Sequence, residues 1–353
     1  MIVPEICFKE DIGPQSLLEN VRHWSLTGKV LISGAGEEDV AMLENILERA
    51  AGSVDIFIEL ATPTERDALA LLNAGASVIV CDSVFDLIPS DRIRPIVGEE
   101  ASGVSDSGMS PAMVRPAELD SAELLRLDSS GSDIIVSSSR LESEPELLAK
   151  FFRQRLTSDR PDGLWPTVIV DPIGTALGLA YSNYESLLNS IATREATYWS
   201  RSRDELWIKG RTSGATQELL NIRFDCDGDC LRFQVIQQPP GFCHRKTYTC
   251  FGQERTIQTV IQRLAERIES ADAASYTKKL ATNPQLLRSK LIEEAGELAE
   301  ADSLHETAWE AADVLYFSLV AMIERGVALE DVFHELARRM NRVVRRTEKP
   351  KPE

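Results

Sequence analysis

The sequence predicts a multidomain protein: an N-terminal α/β domain with a parallel sheet, a central β-rich α+β domain and a C-terminal all-α domain. Three observations carry that expectation. A length of 353 residues exceeds one typical hydrophobic core, and an apolar content of 43% suffices for two or three. The spacing of apolar residues changes twice, from alternating strand and helix patterns, to strand patterns, to an unbroken helical pattern. Turn-forming residues punctuate the first change, at Asp159-Arg160-Pro161-Asp162-Gly163.

The first region runs to about residue 158. Short apolar runs at Lys29–Ser33, Val54–Leu60, Ala76–Cys81, Ile93–Val97 and Asp133–Ser137 read as strands. Helix-period segments Glu37–Ala51 and Thr62–Asn73 lie between them, the second opened by Thr-Pro-Thr-Glu. Such alternation predicts a parallel sheet flanked by helices. Gly34-Ala35-Gly36 has no third glycine and is followed by two glutamates, so it reads as an ordinary strand-to-helix turn. Cys7 and Cys81 have no histidine or second cysteine nearby and read as core or near-core thiols. The Ser/Gly-rich Ala101–Pro111 reads as a mobile loop.

In the second region, 159–252, strands are predicted at Thr167–Asp171, Ala176–Ala180, Glu195–Ser200, Glu205–Lys209, Leu219–Asp225 and Leu231–Ile236, with one helix at Asn183–Thr193. In the third, 255–346, three-to-four-residue apolar spacing predicts helices at Thr256–Ser270, Pro284–Ala301, Ser303–Arg325 and Leu329–Arg345. The charged, proline-containing tail 347–353 reads as disordered or as a linker cut from something longer.

The net charge is −18, and residues 1–160 hold most of it, with 28 acidic side chains against 14 basic ones. No basic surplus exists to displace counterions, so long nucleic acid is an unsuitable partner. A phosphorylated substrate would need locally assembled cations, backbone amides or bound magnesium. With no apolar run of membrane-spanning length and no basic start before a hydrophobic block, the expectation is a soluble, cytoplasmic chain with no membrane partner. Six cysteines are too sparse for a disulfide scaffold, and four fall between 226 and 250, which favours metal.

Those four cysteines lie among other ligands. Cys243 follows Cys226 by 17 residues and Cys250 follows Cys243 by 7. Three thiolates without an evident fourth protein ligand fit a catalytic zinc holding water. A structural zinc closed by Cys230 or His244, or four buried thiols, fits the same residues. Asp225, Asp227 and Asp229 alternate around Cys226 and Gly228 on one side of an extended segment. Three carboxylates so close repel unless a divalent cation joins them, although a solvated acidic turn would share the sequence.

Further residues narrow the choice. Tyr198-Trp199-Ser200-Arg201-Ser202-Arg203, Leu206-Trp207-Ile208-Lys209-Gly210, Thr212-Ser213-Gly214, Asp225-Cys226-Asp227-Gly228-Asp229 and Cys243-His244 together resemble phosphoribosyl-AMP cyclohydrolase of histidine biosynthesis. The resemblance covers about Asp162–Gly252. It implies hydrolytic opening of the adenine ring between N1 and C6, with zinc on Cys226, Cys243 and Cys250 and magnesium on Asp225, Asp227 and Asp229. It also implies a homodimer whose zinc site draws ligands from both chains. His244 becomes the candidate proton donor to the departing nitrogen. Arg201, Ser202, Lys209, Thr212 and Ser213 become candidate phosphate contacts. Arg211 departs from the family, which usually has glutamate there.

The helical region has its own acidic pattern. Glu293-Glu294-Ala295-Gly296-Glu297 precedes Glu310-Ala311-Ala312-Asp313 by twelve intervening residues. Three-and-four spacing sets Glu294 and Glu297 on one helical face, and Glu310 with Asp313 on the next. A short connection lays the two helices antiparallel, so the acids face each other and call for magnesium. Two ordinary solvated faces are the alternative, against which Leu298, Val314, Leu315 and Phe317 argue by crowding the acids with apolar bulk.

This pattern, with Ser275-Tyr276-Thr277-Lys278-Lys279-Leu280 and Trp309-Glu310-Ala311-Ala312-Asp313, resembles phosphoribosyl-ATP pyrophosphohydrolase over about Arg255–Arg346. It implies magnesium-assisted water attack between the α- and β-phosphates, with Glu294 and Glu297 among the catalytic acids and Lys278 and Lys290 touching phosphate. The domain order resembles the front part of fungal multifunctional histidine-biosynthesis proteins. No histidinol dehydrogenase portion is recognised, so either a bifunctional relative or an N-terminal fragment is expected. A structural or assembly role is the default for residues 1–158. Two other readings remain beside the bifunctional enzyme: a catalytically impaired assembly subunit, and a generic nucleotide pyrophosphohydrolase carrying a structural zinc domain.

Overall fold

The computed structural model describes residues 1–8, 13–97, 113–252, 256–270 and 275–343. Ala101–Pro111 and Thr347–Glu353 lie outside the described residues. Two compact units are present, one of Met1–Cys250 with Phe333–Glu353 and one of Phe251–Val332.

The N-terminal part of the first unit runs β1 (Ile2–Cys7), α1 (Pro14–His23), β2 (Lys29–Ala35), α2 (Val40–Ala50), β3 (Asp55–Leu60), α3 (Glu65–Ala74) and β4 (Val78–Val80). It continues with β5 (Ile93–Arg94), β6 (Ile96–Val97), β7 (Met113–Val114), α4 (Ser121–Ser129), β8 (Asp133–Ser137), α5 (Ser138–Ser143) and α6 (Pro145–Arg155). The strands form one parallel sheet in the lateral order β5-β4-β3-β2-β1-β8-β7-β6. Its two edge strands are consecutive in the chain, separated by Pro95 alone.

Sequence periodicity predicts a single strand over Ile93–Val97; the structure breaks it in two. Proline has no N–H for a ladder. Before it Ile93 pairs with Ile79 of β4, and after it Ile96 pairs with Met113 of β7. The sheet is therefore barrel-like, with its strands following chain order around the ring. Alternate residues of the strands point inward, and Val3, Leu31, Phe57, Val78, Val80, Met113 and Ile135 fill the interior with Ile96 against them. The opposite faces bury a second, larger set against α1–α6.

Charge is kept to the two ends of the barrel. At the N-terminal ends of the strands Asp133, with its side chain only 3% exposed, accepts from Lys29 and Arg94 at 2.8 Å each. At the C-terminal ends Arg115 bridges Glu5 and Glu59 at 2.6 Å each. Cys7 is exposed there, contrary to the core position expected of it, because it ends β1 beyond the filled layer; Cys81 is buried. The Gly36 amide after β2 donates to the Asp39 carboxylate at 2.8 Å, so this turn is closed by the chain's own acid.

The central part comprises β9 (Trp165–Val170), β10 (Ala176–Ser182), α7 (Tyr184–Thr193), β11 (Thr197–Ser200), β12 (Glu205–Ile208), β13 (Gln217–Phe224) and β14 (Leu231–Gln237). A four-stranded sheet runs β10-β9-β14-β13, with only the β9–β14 pair parallel, and β11 and β12 form a separate hairpin. Asn183 and Ser186 cap α7 reciprocally, as their spacing directs. Fully buried Tyr198 gives its hydroxyl hydrogen to Gln217 at 2.7 Å.

The second unit holds α8 (Ile257–Ser270), α9 (Tyr276–Thr282), α10 (Pro284–Glu300) and α11 (Leu304–Glu324); α12 (Leu329–Met340) begins in it. Helix α9 has no counterpart among the predicted elements, since seven residues give too few turns for a periodic signal. Asn283 caps α10 ahead of Pro284, and Ser303 with Glu306 forms a capping box on α11. The core is small: Leu264, Leu280, Leu287, Phe317, Leu319 and Val320. No described helix is long and apolar enough to cross a membrane.

Phe57 occupies the centre of the barrel at 2% exposure, with the cations of Lys29 and Arg94 5.7 and 5.5 Å from its ring centre. Replacing it with alanine is expected to cost about 3–5 kcal/mol of stability, measured by urea denaturation of the full chain.

Candidate metal centres

The turn between β13 and β14 carries Asp225, Cys226, Asp227, Gly228 and Asp229. The strands run Gln217–Phe224 and Leu231–Gln237 with Phe224 opposite Leu231, so the acids fall on the tip of a tight hairpin. Carboxylate oxygens of Asp225, Asp227 and Asp229 lie within 4.8 Å of one another, all exposed. Asp225 is fixed by its own turn: its Oδ1 accepts from the amides of Asp229 at 3.0 Å and Cys230 at 3.1 Å. Slight burial opposes its charge, but the Cys230 amide, the Asp229 carboxyl and the Asp229 amide hold it below the usual carboxylate range. Asp229 moves upward, chiefly through its hydrogen bond to Asp225 and the charge of Asp227. Three acids that cannot comfortably share one anionic state suit a divalent cation.

Cys243 and Cys250 sit on a different loop, folded against β10. The Cys243 amide donates to the Thr247 carbonyl at 3.1 Å, and the Phe242 amide to the Tyr248 carbonyl at 3.1 Å. The Cys250 amide donates to Leu177 of β10 at 2.8 Å, and the Tyr248 hydroxyl to Asp171 at 2.9 Å. These bonds hold the two cysteines on one loop, each shifting the other's titration. Cys243 is shifted toward the thiolate, chiefly by the Arg245 amide. Burial and then the neighbouring Cys243 push Cys250 up to about 11.

Cys226 does not join them. It is exposed on the acidic turn, its sulfur 4.0 Å from Asp227 Oδ1, and the groups of three candidate ligands among the described residues contain no cysteine. Within one chain the thiol pair is thus two ligands of a tetrahedral set, and a soft cation there needs more from outside the loop.

The other expected residues of this region divide by exposure. His244 is exposed, its Nδ1 3.9 Å from Cys243 Sγ. Arg201, Ser202, Arg211, Thr212 and Ser213 lie exposed on the β11–β12 and 209–216 turns. The Arg201 guanidinium stacks 3.9 Å above the Tyr181 ring, whose centre is also 4.7 Å from Arg160. Lys209 is buried: its Nζ donates to the Ala215 carbonyl at 3.3 Å and lies 5.1 Å from the Phe242 ring centre. Burial lowers its pKa, opposed by the charges of Cys250 and Cys243, so this cation serves the thiol loop in the free chain.

Four participants escape sequence reasoning. Thr247 orients Cys243, Tyr248 with Asp171 braces the loop, and Tyr181 carries Arg201. The available signal was the Thr-Tyr-Thr run between two cysteines, whose hydroxyls tie the loop to the Thr249 carbonyl and to Asp171.

The helical unit builds a separate centre. Oxygens of Glu294 and Glu297 on α10 and Glu310 on α11 lie within 4.8 Å of one another. Glu294 is buried at 7% exposure, and Glu310 Oε2 is enclosed without a hydrogen-bond partner. Burial, then the charges of Glu297 and Glu294, raise the Glu310 carboxyl above its ordinary range. An enclosed acceptor with no donor, beside two more carboxylates, fits a divalent cation. Asp313 lies outside this group of three but adds its charge to Glu310 from one turn further on. Lys290 spans Glu293 at 2.8 Å and Glu294 at 3.6 Å, and Lys278 Nζ donates to the Glu269 carbonyl at 3.4 Å.

Similarity to known proteins follows the same division. A family model described as Phosphoribosyl-AMP cyclohydrolase matches residues 178–252, and one described as Phosphoribosyl-ATP pyrophosphohydrolase matches residues 257–340. The Histidine biosynthesis trifunctional protein of Saccharomyces cerevisiae is 33% identical over 354 residues, covering 100% of this chain and 43% of that protein. A Histidine biosynthesis bifunctional protein of Schizosaccharomyces pombe is 41% identical over 236 residues, 65% of this chain and 56% of that protein. The Histidine biosynthesis bifunctional protein HisIE of Deinococcus radiodurans is 38% identical over 189 residues, 49% of this chain and 86% of that protein. The chain spans less than half the length of the trifunctional relatives it matches.

A carboxyl held protonated in the fold contributes stability at low pH that is lost as pH rises through its raised pKa, unless a cation takes the proton's place. For Glu310 the thermal stabilisation given by Mg2+ is therefore expected to grow as pH rises from the carboxylate range to neutrality. Glu310→Gln is expected to flatten that response. Scanning calorimetry with and without Mg2+ measures both.

Proposed function

The chain belongs to the family of histidine-biosynthesis proteins that join a phosphoribosyl-AMP cyclohydrolase domain to a phosphoribosyl-ATP pyrophosphohydrolase domain, and from that premise we propose that it performs both hydrolyses in sequence. The helical unit releases pyrophosphate from phosphoribosyl-ATP, and the central domain opens the adenine ring of the phosphoribosyl-AMP so formed. The observation that carries this reading is the coincidence of two separate ligand clusters with the two matched segments, in one chain.

At the helical centre Glu294, Glu297, Glu310 and Asp313 would hold magnesium, which supplies charge neutralisation to the phosphates. Glu294 and Glu297 also orient and deprotonate the attacking water, since carboxylates kept near one another retain a base of raised proton affinity. Lys290 leaves Glu293 and Glu294 to meet phosphate when the cation takes over their charge, and Lys278 offers a second ammonium from α9.

In the central domain Cys226, Cys243 and Cys250 would hold zinc, and Asp225, Asp227 and Asp229 magnesium. Zinc supplies an acidified water competent to attack a ring carbon at neutral pH. His244, exposed beside Cys243, delivers a proton to the departing ring nitrogen. Arg201, braced on Tyr181, binds phosphate with Ser202, Thr212 and Ser213. Lys209 acts from beneath, offsetting thiolate charge beside Cys243 and Cys250.

The chain works as a homodimer in which Cys226 of one copy completes the thiol pair of the other. The separation of Cys226 from Cys243 and Cys250 supports this, as does the apolar surface of the helical unit. Ile292, Trp309 and Leu315 are 63%, 62% and 56% exposed around a core of six buried residues. A cytoplasmic setting, where thiols stay reduced, suits a zinc site of this kind.

Cys243→Ser is expected to abolish ring opening while pyrophosphate release continues. Glu294→Gln is expected to cut pyrophosphate release on the order of a hundredfold and leave conversion of supplied phosphoribosyl-AMP intact. Product analysis with each substrate separates the two; loss of both activities in both variants would contradict independent centres.

A further inference from the structure

Resting on the assignment of Asp225, Asp227 and Asp229 to a cation, we propose that the N-terminal barrel is a clamp for that acidic turn, with Arg155 as the positioning residue that transmits its rigidity. The contact is built from the last turn of α6 and the two residues after it. The Thr157 amide donates to the Gly228 carbonyl at 2.8 Å. Gly228, at φ +74° and buried, lies so close to the Arg155 carbonyl that a β-carbon there would run into it. The turn is thus gripped by its backbone at the one residue without a side chain. Its neighbours Asp227 and Asp229 are left exposed.

What holds the grip in place belongs to the barrel. Arg155 Nε donates to Asp128 Oδ2 at 2.6 Å, and its Nη2 pairs with the other oxygen of the same carboxylate. Asp128 lies on α4, so the fork ties the end of α6 to a second helix of the barrel. The same guanidinium lies 4.8 Å from the ring centre of Phe151 and 5.4 Å from that of Phe224, the residue immediately before Asp225. Phe152 meets Phe224 edge-on at 6.2 Å, and Leu156 is 2% exposed. Asp128, Arg155 and Thr157 all precede the matched cyclohydrolase segment, which begins at residue 178.

The physical need is plain. Without a cation three carboxylates push the turn open, and every binding event would have to close it again. A backbone held from outside keeps the oxygens gathered, so the cation meets a preorganised set. Arg155 touches neither metal nor substrate and acts only through Gly228 and Phe224.

The test uses the full, zinc-loaded chain with Mn2+ as a paramagnetic probe. Asp227→Asn first identifies the Mn2+ component belonging to the turn, apart from the helical centre. Arg155→Ala and, separately, Asp128→Asn are expected to weaken that component about tenfold. Both are expected to raise by the same factor the Mg2+ concentration that half-activates ring opening, with pyrophosphate release unchanged. Asp128→Asn keeps the size of the side chain and alters nothing on the turn, which guards against misfolding of the arginine variant. Wild-type Mn2+ affinity of the turn in both variants would overturn the clamp while leaving the metal assignment standing. An Asp227→Asn chain that keeps the full wild-type Mn2+ complement would overturn the metal assignment, and the clamp with it.

Discussion

Carboxylates gathered closer than their charges allow are the constraint on which the rest of this chain depends. Among the described residues it gathers them twice. Asp225, Asp227 and Asp229 share a hairpin tip, and Glu294, Glu297 and Glu310 share a helix pair, each set with oxygens within 4.8 Å. In a chain of net charge −18 neither arrangement is supported by a general basic surplus. Each must be paid for locally, by backbone amides, protonation or a cation. The hairpin uses two amides on Asp225 and raises the proton affinity of Asp229. The helix pair keeps one Glu310 oxygen enclosed and unpartnered. Both solutions are incomplete in a way that a divalent ion completes.

The scaffolds around the two sets differ because the demands differ. Helices fix side chains at three-and-four spacing, so α10 and α11 need only a short connection and good caps to face their acids. A hairpin tip has no such rigidity, and the barrel end at Arg155–Thr157 bears directly on it. The thiol loop relies instead on a braced turn, from Cys243–Thr247 to Tyr248–Asp171. Thiols and carboxylates thereby sit on separate pieces of one domain, with Cys226 travelling with the carboxylates.

Much of this was legible in the sequence, for reasons tied to particular residues. Alternation of apolar runs gave β2, β3 and β8, and residue spacing alone put Glu294, Glu297 and Glu310 together. Apolar spacing placed the start of α11 at Ser303, which the structure shows as a capping box with Glu306. Closure of the sheet was not legible, because Ile93–Val97 reads as one strand and only pairing on both sides reveals what Pro95 does. β1 and β7 escaped for related reasons: a strand beginning at Ile2 has no preceding turn, and one of two residues has no period. Lys209 read as a phosphate contact because sequence gives charge but not depth; its burial over Phe242 comes from packing far apart in the chain. The grip on Gly228 was likewise hidden, since 71 residues separate it from Thr157.

The central claim is that one chain holds two cation-dependent centres acting on consecutive substrates. The most direct measurement follows pyrophosphate and ring-opened product together, after phosphoribosyl-ATP is added to the full chain carrying zinc and Mg2+. The account predicts that pyrophosphate appears first, ring-opened product follows with a lag, and chelation of Mg2+ stops both. Metal-loaded protein that yields neither product would contradict it.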